Sequence, residues 1–154
     1  MERCVDVRTF DLLRVAAVYL LDTNVIFELR KPRPHGGVLT WLKAKNNEEL
    51  FISAMTIGEL QAGVEVTRRQ DPSKVEVIDR WIDQIANSYQ ILSIDASIFR
   101  QWAKWMRGCS DHLLEDALLA ATAHVHRLKV VTRNVKDFER FDVGLINPFE
   151  TRFS

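Results

Sequence analysis

The chain has 154 residues, 47% of them hydrophobic and 27% charged, a globular composition long enough to bury one core without staples. Its 21 Lys and Arg balance 21 Asp and Glu, which excludes polyanion binding through bulk charge and leaves only local basic clusters for that role. Cys4 and Cys109 are too few and too far apart for a disulfide framework or a thiolate metal site.

Residues 1–14 mix charges and apolar side chains without a clean period and read as an N-terminal extension. The apolar run from Val15 to Leu21 falls far short of the roughly 20 residues that span a bilayer. Arg8 and Arg14 precede it, but Asp22 follows it where a signal peptide needs small residues for cleavage. One cytoplasmic domain without a membrane segment is the expectation. The same run is apolar on both faces and partly β-branched, as in a buried parallel strand stopped by Asp22 and Asn24. Arg30 to Gly37 is a Pro- and Gly-rich loop, and Val38, Leu39, Trp41 and Leu42 suggest a helix ending near Lys45 to Glu49.

Leu50 to Ser53 reads as a second strand, and Thr56 opens a helix carrying Ile57, Leu60 and Val64, weakened at Gly63 and broken at Asp71-Pro72-Ser73. Val75, Ile78, Trp81, Ile82 and Ile85 mark an amphipathic helix. Gln90 to Ile94 is a third strand. Asp95 then caps a helix burying Ile98, Phe99, Trp102 and Trp105, and Gly108 ends it. Asp111 caps the next helix, which runs to about Arg127. Lys129 to Thr132 is a fourth strand, Asp137 to Phe141 a helical turn, and Gly144 to Asn147 a last strand closed by Pro148. Strands separated by helices predict an α/β sandwich around a parallel sheet.

Ligands of such sheets sit beyond the carboxyl ends of the strands. Asp22 follows the first strand, Glu59 lies in the helix after the second, Asp116 lies on the helix before the fourth, and Asn134 follows the fourth. These are oxygen donors with no thiolate or imidazole among them, a set that suits Mg²⁺ or Mn²⁺ better than zinc. Asp116 has Leu113, Leu119 and Ala120 three and four residues away, so its charge is costly unless something neutralises it. Alone, each acid has a structural reading: a buried ion pair for Asp116, an Asx turn for Asp22, a first-turn acid for Glu59. Converging on one edge, the three repel one another and a cation is the simplest compensation. Glu115 points about 100° away from Asp116 and is placed in solvent.

Four segments in order, Tyr19 to Ile26 (YLLDTNVI), Ser53 to Leu60 (SAMTIGEL), Glu115 to His124 (EDALLAATAH) and Val130 to Phe138 (VVTRNVKDF), resemble the PIN-domain ribonucleases. More narrowly they resemble the VapC-type toxins of bacterial toxin–antitoxin pairs, near the FitB-like branch. The closing Leu145 to Phe149 shares that look, so the resemblance covers a domain at 18–150, between the extension at 1–17 and a tail at 151–154. It implies a three-layer α/β/α PIN-like fold with a five-stranded parallel sheet, and Mg²⁺- or Mn²⁺-dependent endonucleolytic hydrolysis of RNA. Carried over by position, Asp22, Glu59 and Asp116 are the catalytic, metal-binding carboxylates. The family's fourth acidic position falls on Asn134, a neutral donor, while Asp137 either adds a donor or caps the following turn, the cap being the simpler reading. The implied partners are a cognate VapB-like antitoxin whose C-terminal segment blocks the acidic groove, the RNA substrate, and a second copy of the chain, giving a homodimer and a heterotetramer or larger with antitoxin.

A bound Mg²⁺ lowers the pKa of a water and stabilises charge on the phosphoryl oxygens. Thr23 and Thr132, each beside a ligand position, can orient water or phosphate, or simply cap turns. Arg133 can hold a phosphate or sit solvated at a strand end. Arg30, Lys31 and Arg33, and separately Arg68 and Arg69, can meet RNA backbone. Trp102 and Trp105 fit the core better than a base-stacking platform, and His112, His124 and His126 show no ligand spacing. For the dimer, the helix faces of Trp41-Leu42 and Ile57-Leu60 are the candidates. The neutral Asn134 motivates one alternative, a catalytically weak PIN-like module that binds RNA or protein. A short upstream reading frame with a DNA-binding N-terminus would favour the toxin over it. A receiver-type signalling domain is the other alternative, and it lacks the acidic pair and the Lys it needs.

Overall fold

The structure is a computed structural model and describes residues 17–150. The tail at 151–154 and all of the expected extension but its last residue lie outside the described residues, as do Val15 and Ala16 of the expected first strand.

Five short parallel strands form the middle layer: β1 (Tyr19–Leu21), β2 (Leu50–Ser53), β3 (Gln90–Leu92), β4 (Lys129–Val131) and β5 (Leu145–Ile146). Their spatial order is β3-β2-β1-β4-β5. Tyr19 pairs with both Leu50 and Lys129, which puts β1 at the centre with its backbone satisfied on both sides. The chain steps outward from β1 to β3 and then returns to the other side of β1. The strand order therefore reverses between β1 and β4, where ligands of open parallel sheets collect.

Alternate strand residues point to opposite faces, and two separate cores result. On one face Tyr19, Leu21, Leu50, Ile52 and Val131 pack against α1 (Thr23–Glu28), α2 (Gly36–Lys43), α3 (Ala54–Gln70) and α4 (Val75–Ser88). On the other, Leu20 and Val130 meet Leu119, Ala120 and Ala123 of α6 (Leu114–His126) and Phe138 of α7 (Val135–Phe138). Trp102, Trp105 and Met106 of α5 (Ala96–Met106) close that layer from outside. The expected three-layer α/β/α sandwich with five parallel strands is the observed one.

Several boundaries differ from the sequence reading, each for a local reason. α3 starts at Ala54 rather than Thr56, because the Ser53 hydroxyl accepts the Met55 N–H at 3.1 Å and caps it. Gly63 leaves α3 intact. Asp111 opens a 3₁₀ turn (Asp111–Leu113) rather than capping α6, and no side chain caps that turn. Asp95 does cap α5, accepting from Ile98 N–H at 3.0 Å, but Phe99 on that helix is 47% exposed rather than buried. Gly37, at the start of α2, lies so near the Pro148 carbonyl that a Cβ there would sit 2.5 Å from it, which pins the C-terminal segment beside that helix.

Candidate functional site

Asp22 lies one residue beyond β1, 8% exposed, with its backbone N–H bonded to the Val131 carbonyl of the neighbouring strand. Its carboxylate is held from three sides. Oδ1 accepts from the Thr23 N–H at 2.7 Å, and Oδ2 accepts from the Thr132 hydroxyl at 2.8 Å and from the Asn24 amide at 3.2 Å. Thr132 in turn accepts the Asn134 N–H at 2.9 Å, so the ends of β1 and β4 are locked through one carboxylate. Burial pushes the Asp22 pKa up, against these hydrogen bonds, which favour its charged form, while the Glu115 charge adds to the rise. Thr132 is fully buried, and its hydroxyl both donates to Asp22 and accepts the Asn134 N–H of its own turn.

Glu59 stands on α3 and Asp116 on the first turn of α6, both half-buried. Burial, then the charge of Glu115, raises Glu59 to about 7, with Asp22 and Asp116 adding smaller repulsions. Burial, then Asp22, Asp137 and Glu115, raises Asp116 to about 6, against a smaller lowering by His112. Three acids from three elements thus share one electrostatic field. The Thr23 hydroxyl lies 3.0 Å from that of the buried Thr56 and also favours the charged form of Glu59.

Sequence reasoning missed three participants. Glu115 is exposed as its helical angle implies, yet its charge still reaches Glu59, Asp22 and Asp116. Asn24 links Asp22, Thr132 and the Arg133 backbone, and Thr56 supports Thr23. Only the Asn24 side chain, two residues after Asp22 and able to bond its own turn, left a sequence signal. Asp137 is not the cap: Asn134 occupies the N-cap position of α7 without a side-chain bond, and the Asp137 charge is felt at Asp116.

Arg133 is half exposed, its guanidinium carbon 3.8 Å from the centroid of the Phe149 ring and its Nη2 3.9 Å from Glu28. Trp41, Leu42 and Ile57 are partly buried against the first core and Leu60 is 2% exposed, so each face expected to serve a dimer is open only in part. Trp102 and Trp105 pack on the second core, and the ring of His124 sits 5.0 Å from that of Trp105.

None of Asp22, Glu59 and Asp116 has a Lys or Arg within ion-pair distance among the described residues. Among those residues, too, no three carboxylate, imidazole or thiolate groups are drawn together tightly enough to hold a metal ion unaided. The acids occupy one field without forming one coordination cage. Oxygen donors of this kind suit a hard divalent cation that keeps several of its own waters and takes one or two carboxylates directly. Hard oxygen donors whose mutual repulsion is left uncompensated complete the fit.

Residues 19–144 match the model of the PIN domain family. The chain is 34% identical over 142 residues to the VapC ribonuclease Y4jK of Sinorhizobium fredii, covering 85% of this chain and 97% of that one. The crystal structure of FitAcB from Neisseria gonorrhoeae superposes with a TM-score of 0.78 at 32% identity, over 87% of this chain and 100% of its own. A toxin–antitoxin complex from Klebsiella pneumoniae superposes with a TM-score of 0.63 at 25% identity, covering 86% of this chain and 99% of that one. No helix among the described residues is long and apolar enough to cross a membrane.

Proposed function

The chain belongs to the PIN-domain family, and we propose that it is the ribonuclease toxin of a toxin–antitoxin pair, hydrolysing RNA phosphodiester bonds with a divalent metal at the edge between β1 and β4. The observation that carries the reading is the field shared by Asp22, Glu59 and Asp116, with Glu59 held at about 7 and Asp116 at about 6 and no Lys or Arg within ion-pair distance among the described residues. The similarity to a VapC ribonuclease supports the reaction class.

Asp22, Glu59 and Asp116 would hold the Mg²⁺ or Mn²⁺, and Asn134 would add a neutral oxygen. When bound, that ion supplies Lewis acidity and a water of lowered pKa. The chain's own part is to keep Asp22 fixed through Thr132, Thr23 and Asn24, so that its carboxylate does not reorganise when phosphate arrives. Thr23, beside Glu59, orients that carboxylate by its hydroxyl. The charge that Asn134 lacks is offset by Glu115, whose carboxylate acts on the same field.

The partner follows from the same excess of negative charge. A VapB-like antitoxin segment carrying basic side chains would neutralise the acids as a metal does, and the likeness to a toxin–antitoxin complex supports that assignment. A homodimer, and a heterotetramer or larger with antitoxin, completes the proposal.

The test is cleavage of RNA by the purified protein and by Asp116→Asn, which is nearly isosteric and removes only the charge. The parent cuts RNA and the variant does not, while both melt as folded proteins. Equal cleavage by the two would remove Asp116 from the site.

A further inference from the structure

Beside the acids, and outside the proposed ligand set, a second charged assembly joins the loop after α1 to the loop after β4. At its centre is Glu28, a carboxylate only 4% exposed. Its Oε2 lies 2.6 Å from Lys31 Nζ and 3.9 Å from Arg133 Nη2, and its Oε1 accepts the His35 N–H at 2.9 Å. The Lys31 hydrogen bond holds the Glu28 pKa below the usual carboxylate range despite burial. Two cations thus converge on one buried anion, and a net positive charge faces outward.

Lys31 is tied to Glu28 alone, whereas Arg133 is held from further sides. The Arg133 guanidinium stacks on Phe149, and its backbone N–H donates to Asn24 Oδ1, the same asparagine whose amide bonds Asp22. Arg30 lies over the Trp81 ring at 5.8 Å. Phe27, by contrast, is 41% exposed on a helix whose other apolar residues, Val25 and Ile26, are fully buried. With Arg30 and Lys31 it lines an open cleft of about 350 Å³. A second cleft, of about 380 Å³, is lined by Arg133, Asn134 and Lys136 together with the acids Asp137 and Glu150.

An exposed ring beside fixed cations is the arrangement that holds an unpaired nucleotide: the ring stacks the base, and the cations hold the backbone. A guanidinium already stacked and ion-paired has lost the rotamer freedom that phosphate binding would otherwise take from it. We propose that the edge formed by Phe27, Lys31 and Arg133, coupled through buried Glu28, is a nucleotide subsite for single-stranded RNA, in which Phe27 stacks a base next to the scissile phosphate and Arg133 and Lys31 hold the adjoining phosphate. Glu28 is a positioning residue for both cations. The subsite rests on the ribonuclease reading and adds to it the state of the substrate strand.

The experiment measures cleavage of a fluorescent single-stranded oligoribonucleotide in Mg²⁺, and its binding across a salt series in an Asp116→Asn background that does not cut. Phe27→Ala weakens binding and raises KM about tenfold, with kcat and the salt dependence unchanged, because stacking is worth roughly 1–3 kcal/mol per base and carries no charge. Phe27→Trp restores the affinity. Arg133→Ala and Arg133→Gln each lower the slope of log K against log salt by about 0.7, the signature of one lost phosphate contact on a single strand. A parent that cleaves RNA, with Phe27 and Arg133 variants matching it in KM and salt slope, overturns this subsite and leaves the ribonuclease intact. Variants that weaken only inhibition by antitoxin also overturn it, and make the edge a protein-docking surface. A parent that cuts no RNA overturns the ribonuclease reading and the subsite together.

Discussion

Asp22 is held by a peptide N–H, a hydroxyl and an amide, whereas Glu59 and Asp116 are left to repel one another. The difference has a consequence for stability without metal. Folding raises Glu59 from 4.5 to about 7, so the folded chain binds that proton more tightly than the unfolded chain. Its stabilising contribution is complete below pH 4.5 and is lost as pH rises through about 7, and Asp116 acts in the same sense between 3.8 and about 6. Protein in EDTA is therefore expected to melt at a lower temperature near pH 8 than near pH 5.5, with a smaller difference in Glu59→Gln. Thermal melts of both proteins check this, and an unchanged pH dependence in the variant would contradict the field described around Glu59. The acids themselves were legible because each follows a strand or sits on an apolar face. Glu115 was not, because a helical angle tells which way a side chain leaves the helix but not how far its charge reaches through a half-buried edge. Glu28 left no signal either, since its partners Lys31, His35 and Arg133 come from two loops that only the folded sheet brings together.

Helices were easier to read than strands. The spacing of Val75, Ile78, Ile82 and Ile85 matches α4, whose buried residues are those four. Of the apolar run before Asp22, the described Ala17 and Val18 precede the strand and β1 begins at Tyr19, opposite Leu50 and Lys129 where the neighbouring strands begin. Phe99 shows the opposite error: it is apolar and on a helix that packs a core, yet it lies outside the stripe that Ile98 and Trp102 bury. The start of α3 was missed because its cap belongs to the strand. Ser53 closes β2 and also caps α3, and so sets where Glu59 falls in the following turns. Ser53→Ala removes the acceptor for the Met55 N–H in a fully buried position and is expected to destabilise the fold by about 1 kcal/mol. Urea denaturation checks this through a lowered midpoint at constant m-value. A midpoint equal to the parent's would mean the hydroxyl contributes nothing there.

Across the whole molecule a net charge of zero conceals a separation of charge. Acids gather where the strand order reverses between β1 and β4, and cations gather on the two loops beside them. The fold class was legible because alternating strands and helices leave few arrangements. Strand order was not, because each strand is apolar on both faces and could sit anywhere in a parallel sheet. That order is what brings Asp22 and Thr132 within 2.8 Å. The proposed chemistry stands or falls on the metal that these acids would hold. The direct measurement is the rate of single-stranded RNA cleavage by protein freed of metal with EDTA and then given Mg²⁺, Mn²⁺ or Zn²⁺. Cleavage should vanish in EDTA and return with Mg²⁺ or Mn²⁺ but not with Zn²⁺, because the donors are hard oxygens. Cleavage that persists at the full rate in EDTA would contradict a metal-dependent reaction at Asp22, Glu59 and Asp116.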